Sequence, residues 1–100
     1  MAATLKGIMS EMKQTTTEAK GVLSNFDQAR ADALLHQYAM QAMAAGKLFG
    51  SGDAKAADLQ KRFATLAATA NNAKAKDAAG FRIAFSAIAT QCRSCHSAYK

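Results

Sequence analysis

Cys92-Arg93-Ser94-Cys95-His96 sets two thiols three positions apart, with an imidazole directly after the second. This is the Cys-x-x-Cys-His spacing through which a c-type haem is attached. Each thiol adds across one vinyl group, and the neighbouring imidazole is held beside the iron as an axial ligand. Two other chemistries use paired cysteines. A Cys-x-x-Cys redox pair belongs to a strand-turn-helix setting, and half of a zinc site needs further ligands elsewhere. The chain has only two cysteines, and its other histidine, His36, lies on a distant segment. The leading expectation is one covalent haem c per chain, attached at Cys92 and Cys95, with His96 as axial iron ligand.

The rest of the chain must position that motif. At 100 residues it is expected to be one domain, 1–100, whose single small core gains from a buried cofactor. Half the residues are apolar, alanine dominates and proline is absent, which favours helix over sheet and an all-α fold. No apolar run approaches a membrane span, and Met1-Ala2-Ala3 lacks a charged region followed by an apolar signal core. Covalent haem implies the periplasm of a bacterium, where ligation takes place, with the export signal already removed from this sequence.

Four periodic segments are separated by glycine and small polar clusters. The first, from about Thr4 to Lys20, ends near Gly21 and puts Leu5, Ile8, Met12, Thr15, Ala19 and Leu23 on one face, with Met9 and Thr16 at its edge. Ser24 and Asn25 are candidate N-caps, and a negative charge at Asp27 suits the start of the second segment, expected to about Leu48. There Ala31, Leu34, Leu35, Tyr38, Ala42, Ala45 and Phe49 share a face. The other side carries Ala29, Ala33, His36, Met40, Met43 and Ala44, a stripe that reads as a homodimer contact. His36 and Met40 are spaced to share a metal, but a solvated or interface histidine is the stronger reading. Gly50-Ser51-Gly52 breaks the chain, and Ser51 or Asp53 caps a third helix with Leu59, Phe63, Leu66 and Ala70 on one stripe. A fourth, from about Asp77, carries Phe81, Ala84, Phe85, Ile88, Cys92, Cys95 and Tyr99 on one side.

Four amphipathic helices with short connections predict an antiparallel up-down-up-down four-helix bundle. The first helix then starts beside the end of the last, and at about 1.5 Å per residue the residues facing His96 fall near positions 5 to 9. Leu5, Ile8 and Met9 are expected to build the distal side of the haem, with Met12 one to two turns deeper and serving mainly as packing.

The run from Cys92 to Lys100, with Phe85-Ser86-Ala87-Ile88-Ala89 before it, resembles the haem-binding helix of the cytochrome c′ family. Lys20-Gly21, Phe26-Asp27-Gln28-Ala29 and Lys47-Leu48-Phe49 resemble its first loop and second helix. The resemblance implies the same bundle. It also implies that Lys100, where relatives often carry arginine, contacts the cofactor, and that Leu5 occupies the distal position. An apolar residue there accompanies five-coordinate, gas-binding relatives; a methionine accompanies low-spin electron carriers. Met9, one turn along, is the candidate sixth ligand.

Two functions follow as expectations: electron transfer by a monohaem cytochrome, or binding of nitric oxide or carbon monoxide with Leu5 screening the iron. A haem-free helical interaction module is the third reading. The formal charge of +6 is spread over all four helices, which disfavours nucleic acid and suits an acidic redox partner docking near Lys6, Arg93 and Lys100. Ser94 and Ser97 flank His96 without a carboxylate to orient a triad, and no glycine-rich phosphate loop is present, so the chain is not read as an enzyme.

Overall fold

A helix leaves its first amides without intrahelical partners, and four side chains answer that need. Thr4 Oγ1 accepts from the Gly7 amide at 3.0 Å and Asp27 Oδ1 from Arg30 at 3.1 Å. Asp53 and Asp77 do the same for Ala56 and Gly80, each at 2.7 Å. Three of the four caps are aspartates, whose charge also suits the positive end of a helix dipole. In the computed structural model, which describes residues 4–50 and 52–99, these caps open α1 (Leu5–Ser24), α2 (Gln28–Gly46), α3 (Ala54–Asn72) and α4 (Ala78–Ala98).

The boundaries differ from the sequence expectation in two places. Helix α1 continues through Gly21 to Ser24, because glycine weakens a helix without removing a hydrogen bond, and the Gly21 carbonyl still accepts from the Asn25 amide at 3.0 Å. Helix α2 stops at Gly46, so Phe49 leaves the helical face assigned to it and stacks on Phe63, with ring centroids 6.0 Å apart. Ser51, a candidate cap, lies outside the described residues.

The helices form an antiparallel up-down-up-down bundle in which each packs on its sequence neighbours and α1 closes the ring against α4. The most extensive contact is between α2 and α3. Ala31, Ala39, Ala42 and Ala45 of α2 and Ala67 and Ala70 of α3 are buried, and such small side chains let two helices approach closely. Tyr38, Phe81 and Ile88 are the largest fully buried side chains, with Leu34, Leu35, Phe63 and Leu66 around them. Against α2, α1 adds a polar seam: Thr15 Oγ1 accepts from Gln41 Nε2 at 2.9 Å, and Thr16 Oγ1 lies 2.6 Å from the Tyr38 hydroxyl. Of the four contacts that close the ring, that between α1 and α4 is the sparsest. Among the described residues no helix is long and apolar enough to cross a membrane.

Candidate functional site: a cleft at the end of the bundle

Antiparallel order brings the starts of α1 and α3 together with the end of α4, and a cleft of about 580 Å³ opens there. That volume falls in the range of about 300–1,000 Å³ typical of ligand and cofactor sites. Helix α1 supplies Leu5, Met9 and Met12; α3 supplies Lys55, Leu59, Arg62 and Leu66; α4 supplies Cys92, Cys95 and His96, with Tyr99 as its C-cap; and Phe49 closes one side from the α2–α3 connection.

The motif and the expected distal helix therefore meet at one cavity. Cys92 and Cys95 are half-buried and His96 is exposed, all three on the α4 wall. Leu5, at 38% exposure, and half-buried Met9 stand on the α1 wall. Ile8 does not join them. Successive helical residues are turned by about 100°, and that turn takes Ile8 off the Leu5–Met9 side into the core, where it is 4% exposed. Met12, expected deeper, takes the remaining place on the wall while packing into the core at 7% exposure. Lys100 lies outside the described residues.

The charged lining was not foreseen. Lys6 and Arg93 are exposed but stand off the cleft, whereas Lys55, Lys61 and Arg62, all from α3, line it. Periodicity assigns such residues to the solvent side of a helix and says nothing about a cavity beside that side. The same holds for Asp58 and Tyr99. The Tyr99 hydroxyl donates to Asp58 Oδ2, which also accepts from Arg62 Nε at 2.8 Å. Arg62 donates from a second nitrogen to Ser94 Oγ at 3.2 Å. Lys55 Nζ lies 5.6 Å from the Tyr99 ring centroid and the Arg62 guanidinium carbon 5.7 Å from it, both within cation–π range. This latch ties α3 to the end of α4. Hydrogen bonds from Tyr99 and Arg62 hold the Asp58 carboxyl below the ordinary value of 3.8, and donating to that carboxylate raises the Tyr99 hydroxyl above 10.0. Deeper in the seam, Gln91 Nε2 donates to Thr69 Oγ1 at 2.7 Å, and the Gln91 carbonyl oxygen is buried without a protein partner.

The setting of the thiols separates the chemistries that share their spacing. Both cysteines sit in the last two turns of α4, at the negative end of the helix dipole. Burial raises the Cys92 thiol above its ordinary 9.0, and the neighbouring Cys95 adds to the effect. A redox pair needs the reverse: a thiolate favoured at the positive end of a helix. Among the described residues no group of three or more His, Cys, Asp or Glu side chains is arranged to hold a metal ion. The residues present do fit a haem: two thiols and an imidazole on one wall, an apolar wall of Leu5, Met9 and Met12, and a third wall bearing cations.

Met40 and Met43 of α2 are 54% and 45% exposed, and Ala29, Ala33 and His36 beside them are exposed as well. This face takes no part in the cleft. Compared with known proteins, the chain matches no family model, no curated protein and no solved structure.

Proposed function

We propose that the chain is a monohaem c-type cytochrome similar to the cytochrome c′ family, acting as an electron carrier. The observation that carries this reading is the gathering of Cys92, Cys95 and His96 on one wall of a cavity of cofactor size, with the side chains of α1 on another. When bound, the haem would supply a one-electron iron couple. The chain's own side chains do the rest. Cys92 and Cys95 would hold the macrocycle edge to α4, His96 would offer its imidazole to the iron from the same helix, and Leu5, Met9 and Met12 would keep water from the α1 wall. Met9 is the proposed sixth ligand, since its thioether is the first sulfur along the α1 wall. The proposed location is the periplasm, and the role is carriage of electrons rather than catalysis.

The position of Leu5 on the cleft favours a second reading, in which the sixth position stays open to nitric oxide or carbon monoxide. Absorption spectra of the reduced protein separate the two: sharp low-spin bands indifferent to carbon monoxide support the carrier, and a high-spin spectrum that shifts with the gas supports the gas binder. A native-host sample with no haem at all leaves only a helical interaction module. An acidic redox partner is proposed from the excess of 13 basic over 7 acidic residues. Association that slows as salt rises supports it, and rates indifferent to salt remove it. Two copies are proposed to meet through the exposed Ala29, Ala33, His36 and Met40 face; a monomer in sedimentation at micromolar concentration refutes this.

A further inference from the structure

The walls of the cleft are chemically unequal. Haem has its two vinyl groups toward one edge and its two carboxylate arms toward the opposite edge. Thiols that take the vinyl edge therefore leave the carboxylates pointing away from the helix that bears them. Here both thiols are on α4, so the carboxylates would lie toward the far side of the cleft, at its open mouth and within reach of the side chains that α1 and α3 present there. Helix α1 offers Leu5, Met9 and Met12, none of which donates a hydrogen bond. Helix α3 offers Lys55, Lys61 and Arg62.

These three cations are not equivalent. Arg62 is already held by Asp58 at 2.8 Å and by Ser94 at 3.2 Å, and among the described residues that is the only ion pair. Lys55 and Lys61 are exposed and have no carboxylate partner among the described residues. Lys55 touches the face of Tyr99, an interaction that leaves its three N–H donors free to reach an anion. The two lysines are six positions apart, about 9 Å along the helix axis, and their long flexible stems adjust that span.

We infer that Lys55 and Lys61 of α3 form a carboxylate clamp that takes the two anionic arms of the porphyrin and so fixes which way round the macrocycle enters the cleft. The inference rests on the haem reading of the cleft and adds the recognition of the far edge, which the Cys-x-x-Cys-His motif does not encode. A lysine clamp at this position also lowers the positive charge exposed at the cleft mouth once the cofactor is seated.

The test is a Soret titration of the full, thiol-reduced chain with haemin and, separately, with haemin dimethyl ester, in which both carboxylates are neutralised. The native chain is expected to bind haemin about 10-fold more tightly than the ester, from two exposed charge pairs worth a few-fold each. In a Lys55→Gln/Lys61→Gln variant the preference falls to about 2-fold or less by the same reasoning. Lys76→Gln, an exposed lysine away from the cleft, leaves it intact. Both altered lysines are exposed, so the fold is retained, and circular dichroism of each variant checks that directly. Equal binding of the two porphyrins by the native chain overturns the clamp while leaving the haem reading in place, as does a preference unchanged in the double variant. Failure to bind either porphyrin overturns both.

Discussion

Replacing Tyr38 with phenylalanine removes one oxygen from the centre of the bundle and nothing else. Tyr38 is 1% exposed and its hydroxyl lies 2.6 Å from Thr16 Oγ1. The direction of that bond follows from the neighbouring one: the single Thr16 hydroxyl hydrogen goes to the Met12 carbonyl at 2.9 Å, so Tyr38 donates and Thr16 accepts. Burial raises the Tyr38 hydroxyl above its ordinary 10.0, so the donor keeps its proton at neutral pH. Phenylalanine fills the same space, which leaves the hydrogen bond as the only loss, about 1 kcal/mol net. In a domain of this size that lowers Tm by about 4–8 °C. The bond matters for the cleft because it ties α1, one turn beyond Met12, to α2, while α1 touches α4 only sparsely. Thermal unfolding followed by circular dichroism at 222 nm is the assay, with Thr16→Val as the partner change. Thr16→Val also removes the bond to the Met12 carbonyl and leaves the buried Tyr38 hydroxyl without its partner, so it is expected to lose at least as much as Tyr38→Phe. The double variant is expected to lose clearly less than the sum, since both single changes remove the Thr16–Tyr38 bond. A Tyr38→Phe shift below about 1 °C, or strictly additive losses, refutes the argument.

Four further outcomes follow from the same geometry. Ile8→Ala removes a 4% exposed core side chain and is expected to cost about 2–4 kcal/mol, read by chemical denaturation. Leu5→Ala, at 38% exposure on the cleft wall, costs under about 1 kcal/mol but changes the absorption spectrum of the haem-loaded protein; comparable stability losses would contradict the division of α1 into core and cleft faces. Alkylation of Cys92 in the haem-free chain is expected to be slow at pH 7 and to rise with a midpoint above 9.0, because burial disfavours its thiolate; rapid labelling at neutral pH would restore the redox-pair reading. The Tyr99–Asp58 bond contributes stability between two limits. Asp58 titrates below 3.8 in the folded chain, so its contribution is lost as pH falls through that lowered value, and Tyr99 titrates above 10.0, so its contribution is lost as pH rises through that raised value. Tyr99→Phe is therefore expected to lower Tm at pH 7 and to have no effect in strong acid, where an unchanged difference between the two proteins would show that the bond is not the cause.

The parts of this fold that periodicity controls were readable before any coordinates. Leu59, Phe63, Leu66 and Ala70 recur at helical spacing and are all buried, and the helix starts fall at Asp27, Asp53 and Asp77, although Ser24 and Asn25, the expected N-caps of α2, instead end α1 as its last residue and its C-cap. The up-down-up-down order followed from four such stripes and short connections, and it brought the Cys92–His96 run to the Leu5–Met9 end of α1. What escaped depends on finer rotation or on distance. Ile8 and Met9 differ by a single turn step, which is enough to put one in the core and the other on the cleft. Gly21 looked like a terminus because glycine is common after helices, yet here it costs a little and interrupts nothing. The Asp58–Tyr99 latch joins residues 41 apart in the chain, and no local pattern announces such a pair. Gln41 and Thr15 meet across 26 residues for the same reason: polar side chains on the edges of two stripes find each other only when the helices pack. A signal for the α3 cations was present in the spacing of Lys55 and Arg62, seven positions apart and so on the same side of Leu59 on the wheel, but it carries meaning only once the cavity is known.

The central claim is that a porphyrin is joined covalently to Cys92 and Cys95. The direct measurement is acid denaturation of protein purified from its native host, extraction with organic solvent, and intact mass and absorption of the polypeptide that remains. The account predicts that the colour stays with the chain and that its mass exceeds the sequence mass by one haem, with the addition mapped to the peptide containing Cys92 and Cys95. Colour that passes into the solvent, or a chain that never carried any, contradicts it.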